Sequence, residues 1–163
     1  MRIGPALEHL HASERDLAED LRAVAERHAT DHAVYHVGNM LADRCELLAR
    51  GLGPFLIEYG QDEPDDDDDA GVVRAFAERV RRSTAELLGR SEKTGLLLLH
   101  DLRDLYVHAQ ETLMDWTIVR QGALAGRDQA LDITCQTGMQ ETERVARWLK
   151  TRIKETAPQA LAG

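Results

Sequence analysis

A carboxylate interrupts an apolar stripe near the start of the chain. The stripe recurs at steps of three and four residues, the spacing of the inward face of a helix: Leu7, Leu10, Glu14, Leu17, Leu21, Val24 and His28. An ionised carboxylate buried without a partner costs several kcal/mol, so Glu14 must be protonated, hydrogen-bonded, ion-paired or bound to a cation. His11 lies on the same side of that helix and could share a ligand with Glu14. The simplest expectation is a partner arginine or histidine inside the protein.

Other carboxylates and amides lie at the height of Glu14 on the remaining long helices that we predict. Carboxylates at one level of a four-helix bundle hold di-iron and di-manganese centres, so this coincidence raises a metal hypothesis. We take Glu14, His11, Gln110 and Glu141 as candidate ligands of Fe, Mn or Zn. The other residues at that level are Glu46, Glu111 and Gln140.

The direction of these side chains weakens the metal hypothesis. At about 100° per residue, Glu46 and Glu111 point away from the apolar faces of their helices, and Gln110 and Glu141 lie well to one side. Dinuclear bundle sites also need a Glu-x-x-His pair on each of two helices. The only such pair runs from Glu8 to His11, on the helix that already carries Glu14. We therefore expect no catalytic residues and no intact dinuclear site.

Other motifs indicate no common enzyme class. His32 and His36 have the i,i+4 spacing of a zinc or copper pair, but both lie off the apolar face, so we predict exposed histidines. The acidic run 65–69 lacks the spacing of an EF-hand loop. The sequence contains no G-x-S-x-G, Walker or G-x-G-x-x-G motif.

Helical periodicity extends over most of the chain and predicts an all-α protein. We predict helices over about 5–28, 32–59, 72–89, 92–125 and 128–156, with Asp31 as a candidate cap, Gly60 as a stop and Pro158 just beyond the last helix. Residues 61–70 are acidic and read as a flexible linker. Two antiparallel hairpins joined by a long crossover that holds the shorter helix form a ferritin-like four-helix bundle. Residues 1–163 should form a single domain.

Composition excludes several partners and suggests a compartment. Acidic residues number 29 against 20 basic ones, and the net charge of −9 disfavours nucleic acid and anionic membrane surfaces. The longest apolar run is far too short to span a membrane. Cys45 and Cys135 each lie on an apolar helix face, as expected for buried free thiols of a cytoplasmic protein. Val107, Met114 and Ile118 lie off the main apolar stripe of the long helix, which suggests a homodimer.

Three stretches resemble the ferritin-like superfamily, in particular small stress-associated bacterial proteins of unassigned activity. They are 14–28, then 101–111, and finally 141–150. The resemblance implies that Glu14 matches a first-helix carboxylate, with Gln110 or Glu111 and Glu141 at later acidic positions. It also implies metal chemistry, from which the chain departs by lacking a core-facing Glu-x-x-His pair on its later helices. We expect a non-catalytic structural or interaction bundle, with a metal-binding protein or oxidoreductase as the alternative.

Overall fold

The computed structural model describes residues 2–62 and 94–162. These residues form four α-helices and no β-strand: α1 Ile3–Arg27, α2 His32–Glu58, α3 Thr94–Gly126 and α4 Gln129–Ala162. The all-α class predicted from the sequence is therefore confirmed for this part of the chain. The predicted short helix over 72–89 lies outside the described residues, as does the predicted acidic linker apart from its first two positions.

Aspartates begin α2 and α4, and a glycine follows the end of α2. The Val34 N–H donates to Asp31 Oδ1 over 3.1 Å, and the Leu131 N–H donates to Asp128 Oδ1 over 2.9 Å. Each carboxylate satisfies a backbone donor that the first helical turn leaves unpaired. Gly60 has φ 76°, the left-handed conformation that commonly follows a helix end. The predicted cap at Asp31 and stop at Gly60 are both confirmed.

The end of α4 differs from the prediction. The helix continues through Pro158 to Ala162, so the expectation that Pro158 lies beyond it is wrong. Proline removes one backbone donor and crowds the preceding turn, a cost that is greatest in the middle of a helix. Pro158 lies in the final turns of α4, and Pro54 has the same place in α2. Only a short piece of helix follows either ring, which reduces the number of bonds that depend on it.

The helices form two antiparallel hairpins that pack on each other. α1 contacts α2 and α3, and α4 contacts α3 and α2. Arg27 at the end of α1 bonds Asp101 near the start of α3, and Arg152 near the end of α4 bonds Asp31 before α2. Neighbouring helices are therefore antiparallel, and the diagonal pair α2 and α3 runs in one direction.

The core consists of two apolar clusters, with Glu14 between them along α1. One cluster takes its α1 residues from Leu17 to Val24, and the other takes them from Ile3 to Leu10. Every residue of the predicted first stripe is buried, including Glu14 and His28. Within residues 2–62 and 94–162, no helix has both the length and the apolar character needed to cross a membrane. The bundle thus surrounds Glu14 with packed side chains from all four helices.

Candidate functional site

The Glu14 carboxyl group is completely enclosed and accepts hydrogen bonds from two other helices. Its exposed fraction is 0%. Trp116 of α3 donates its indole Nε1–H to Glu14 Oε1 over 2.6 Å, and Thr142 of α4 donates its hydroxyl to the same oxygen over 2.7 Å. Both donors are uncharged. The expectation of an arginine or histidine as the direct hydrogen-bond partner is therefore wrong, because a tryptophan and a threonine occupy that position.

The second carboxyl oxygen has no such support. Glu14 Oε2 is buried and accepts no hydrogen bond. The pKa of Glu14 is raised, chiefly because burial disfavours the charged form, although the hydrogen bonds from Thr142 and Trp116 oppose the rise. The Cys45 thiol and the charge of His108 also lower this pKa, without a hydrogen bond of acceptable geometry to Oε2. This environment favours a neutral carboxylic acid whose Oε1 is the acceptor.

A glycine on α4 makes room for the tryptophan that binds Glu14. A Cβ atom placed on Gly138 would lie 2.4 Å from Cζ2 and 2.5 Å from Cε2 of the Trp116 ring. Real Cβ atoms do not approach so closely, so only glycine lets α4 come this near the indole. Trp116 itself is 0% exposed, as predicted for the apolar stripe of the long helix. Gly138 therefore helps to set the position of the indole N–H that faces Glu14.

The other carboxylates at the height of Glu14 bond arginines away from the core. Glu46 Oε1 accepts from Arg22 over 2.6 Å. Glu141 accepts from Arg44 over 2.8 Å and from Arg144 over 2.7 Å. The residue after Glu141, Thr142, is the one that points inward to Glu14. The predicted outward direction of Glu46 and Glu141 is confirmed.

The remaining candidate ligands do not join Glu14 in one cluster. Gln110 and Glu111 are exposed on α3, and His11 is half-buried on α1. In the part of the chain that the structure describes, no three His, Cys, Asp or Glu side chains are arranged to hold a metal ion. The residues that fit Glu14 best are instead hydrogen-bond donors. Sequence patterns hinted at this only through the general need of a buried indole N–H for a partner.

Two histidine–aspartate contacts flank the Glu14 centre where α1 packs on α3. His28 Nε2 lies 2.7 Å from Asp101 Oδ2, and Arg27 also donates to that carboxylate over 3.0 Å. Farther along the interface, His108 Nδ1 lies 2.8 Å from Asp20 Oδ2. These contacts join the two hairpins through groups that can change charge near neutral pH.

A cleft opens on the same interface beside His108. Its volume is about 460 Å³, and its walls carry acidic, histidine and small side chains. Burial lowers the pKa of His108, but the hydrogen bond to Asp20 and the negative charges of Asp20, Asp16 and Glu111 outweigh it, so the pKa is raised. The cleft therefore favours a protonated histidine. Its lining is His9, Ala12, Ser13, Asp16, His108, Glu111, Met114 and Asp115.

The cysteines and the histidine pair on α2 match their predictions. Cys45 and Cys135 are free and buried, and burial raises the pKa of Cys135 to about 12 and that of Cys45 further. Neither thiol is therefore activated as a nucleophile. His32 and His36 are exposed, and their rings stack with centroids 6.3 Å apart.

Comparison of the chain with protein families, curated proteins and solved structures finds no match. The function must therefore be argued from the geometry of the Glu14 centre and from the helix interfaces around it.

Proposed function

We propose that this protein is a non-catalytic structural or interaction bundle in which Glu14 fixes the relative positions of three helices. One observation carries the proposal: both hydrogen bonds to the Glu14 carboxyl group end on one oxygen and come from uncharged donors, Trp116 and Thr142. A metal-binding carboxylate needs further ligands around the same point. The nearest candidates in sequence pattern, Glu46 and Glu141, bond arginines instead.

We assign the bundle a ferritin-like topology. The shared direction of α2 and α3 supports this assignment, because a bundle of two hairpins with that geometry needs one long connection between its halves. Asp101 beside the end of α1 and Asp31 beside the end of α4 place the starts of α3 and α2 at one end of the bundle. The resemblance of 14–28, 101–111 and 141–150 to ferritin-like proteins gives independent support.

Metal binding is the second candidate function, with iron, manganese or zinc as the ion. The observation that favours it is Glu14 Oε2, a buried oxygen without a hydrogen-bond partner. An oxidoreductase of ferritin-like type would place its ion at this oxygen. The uncharged surroundings of the carboxyl group make this the weaker of the two proposals.

Metal analysis separates the two candidates. The full chain, purified without an affinity tag, is analysed for iron, manganese and zinc before and after incubation with each ion. We expect less than about a tenth of an equivalent, since no second carboxylate neutralises a cation beside Glu14. Glu14→Gln is the matched control, because it keeps an acceptor for Trp116 and Thr142 but removes a charged ligand. Stoichiometric metal that is lost in Glu14→Gln would establish the metal protein instead.

A further inference from the structure

Histidine–aspartate contacts are concentrated in one of the two interfaces that join the hairpins. In the α1–α3 interface, each contact pairs a histidine nitrogen with a carboxylate oxygen of the facing helix. The contacts are spread along most of the interface, from the first turns of α1 to its last residue. They are His9–Asp115 at 3.5 Å, His108–Asp20 at 2.8 Å and His28–Asp101 at 2.7 Å.

The α2–α4 interface is held by different chemistry. Its polar contacts use arginine and tyrosine donors, which keep their protons throughout the physiological range of pH. They are Arg44–Glu141 at 2.8 Å, Arg152–Asp31 at 2.8 Å and Tyr59–Asp128 at 2.7 Å. Protonation near neutral pH therefore acts on one side of the bundle and leaves the other unchanged.

The surroundings of His108 favour its charged form. Asp20 and Asp16 face it from α1, Glu111 lies on its own helix, and Glu14 feels its charge. Its side chain is 18% exposed beside the cleft, so water can exchange its proton. Among the described residues, no hydrogen bond or ion pair joins its side chain to α2 or α4. All the charged neighbours that act on it are therefore acidic.

His28 lies in a more enclosed position at the end of α1. Its side chain is 4% exposed and faces Asp101 of α3, which Arg27 also contacts. His28 is the residue that caps the carboxyl end of α1, where the helix dipole favours a positive charge. Within residues 2–62 and 94–162, its side chain makes no ion pair with α2 or α4. It too couples charge to the contact between α1 and α3 alone.

We propose that the α1–α3 interface is a proton-sensitive closure: charged histidines hold the α1–α2 hairpin against the α3–α4 hairpin, and loss of their protons loosens that contact. A histidine whose pKa rises on folding adds stability that is complete below its unfolded pKa. That stability is lost as the pH rises through the folded pKa. For His108 the loosening therefore lies above the ordinary histidine pKa of about 6.5. This inference concerns regulation and does not depend on whether Glu14 binds metal.

The buried cysteines provide a probe of the opening. The rate at which a thiol reagent labels Cys45 and Cys135 in buffer, divided by the rate in concentrated urea, measures the opening constant. We compare pH 6.0 with pH 8.5 in the Glu14→Gln background, which removes the buried carboxyl group as a second titrating site. The opening constant should rise by up to about tenfold for each pKa unit that folding adds to the histidines.

Two variants test whether the histidines cause this rise. His28→Gln/His108→Gln keeps hydrogen-bonding side chains but cannot gain a proton, so its opening constant should be the same at both pH values. Arg44→Gln weakens the α2–α4 interface instead and should raise the constant equally at both. An opening constant that is independent of pH with the native histidines, or a rise that persists in the double variant, would overturn the proposal. If the double variant does not fold, His108→Gln alone must reduce the rise.

Discussion

Glu14 acts as a hydrogen-bond acceptor that joins three helices at one atom. Its Oε1 receives the indole N–H of Trp116 and the hydroxyl of Thr142, while Oε2 remains without a partner. A neutral acid satisfies this arrangement better than an ion, because burial penalises the charge. Glu14 is thus a structural residue whose protonation state depends on the surrounding core.

Replacing Glu14 tests how much this acceptor contributes. Glu14→Leu leaves two buried donors, Trp116 Nε1–H and Thr142 O–H, without partners, and should lower the free energy of unfolding by about 2–4 kcal/mol. Glu14→Gln retains the acceptor and should cost less. Urea unfolding at pH 6 measures both. A leucine variant more stable than the wild type would mean that the carboxyl group is not productively bonded.

The same residue predicts a pH dependence with a definite sign. The pKa of Glu14 is raised on folding, so its contribution to stability is complete below its unfolded pKa and is lost as the pH rises through the folded pKa. Urea unfolding from pH 4.5 to pH 9 should show this loss in the wild type. The difference in stability between the wild type and Glu14→Gln should change with pH in that direction. A constant difference would show that the carboxyl group keeps one protonation state throughout.

At the scale of elements, helix-to-helix distance decides where Trp116 can lie. α4 approaches α3 at Gly138, where the indole ring occupies the space of a side chain. One turn later on α4, Thr142 reaches Glu14. The small residue and the hydroxyl residue together let α4 support both the tryptophan and the carboxyl group. This relation follows from the packing of α3 against α4.

Adding a methyl group at Gly138 should disturb this packing. In Gly138→Ala, the new Cβ would overlap the Trp116 ring, and we expect a loss of about 1–3 kcal/mol together with a shift in tryptophan fluorescence. Gly51→Ala is the matched control, since Gly51 lies on α2 with no atom within 4 Å of the added Cβ. The control should gain up to about 1 kcal/mol from helix propensity. Equal effects at both glycines would contradict the close approach of α4 to the indole.

At the scale of the whole molecule, the two hairpins meet through interfaces of different chemistry. Histidine–aspartate pairs line the α1–α3 interface, and arginine–carboxylate pairs line the α2–α4 interface. The outer face of α3 carries a further feature, a row of apolar side chains off the core. Val107, Met114 and Ile118 are 43%, 59% and 54% exposed. Their exposure confirms that they lie off the buried stripe, as predicted.

A homodimer through this face of α3 remains our prediction. Met114→Glu/Ile118→Glu should convert a dimer into a monomer in sedimentation velocity without loss of helix content, because it places charges in a contact that depends on apolar burial. Leu47→Glu is the control, since Leu47 is 63% exposed on α2, away from that row. A wild-type protein that sediments as a monomer at all concentrations would contradict the prediction.

The sequence by itself determined the helices of the described chain and the burial of Glu14. Both follow from local patterns: apolar residues at steps of three and four, the capping aspartate Asp31, and Gly60 at a helix end. The same patterns correctly placed Glu46 and Glu141 off the core, since facing depends only on the angle per residue. They misplaced the end of α4, because the cost of Pro158 depends on how much helix follows it.

Only the tertiary structure decided which atoms meet Glu14. Trp116 and Thr142 lie 102 and 128 positions away along the chain, and their contact depends on the axial positions and rotations of three helices relative to one another. A rotation by one residue would replace Thr142 with Glu141 and change an uncharged site into a charged one. The pairing of histidines with aspartates across α1 and α3 has the same origin. Local periodicity specifies a face but not its partner, because the partner is selected by packing over the whole bundle.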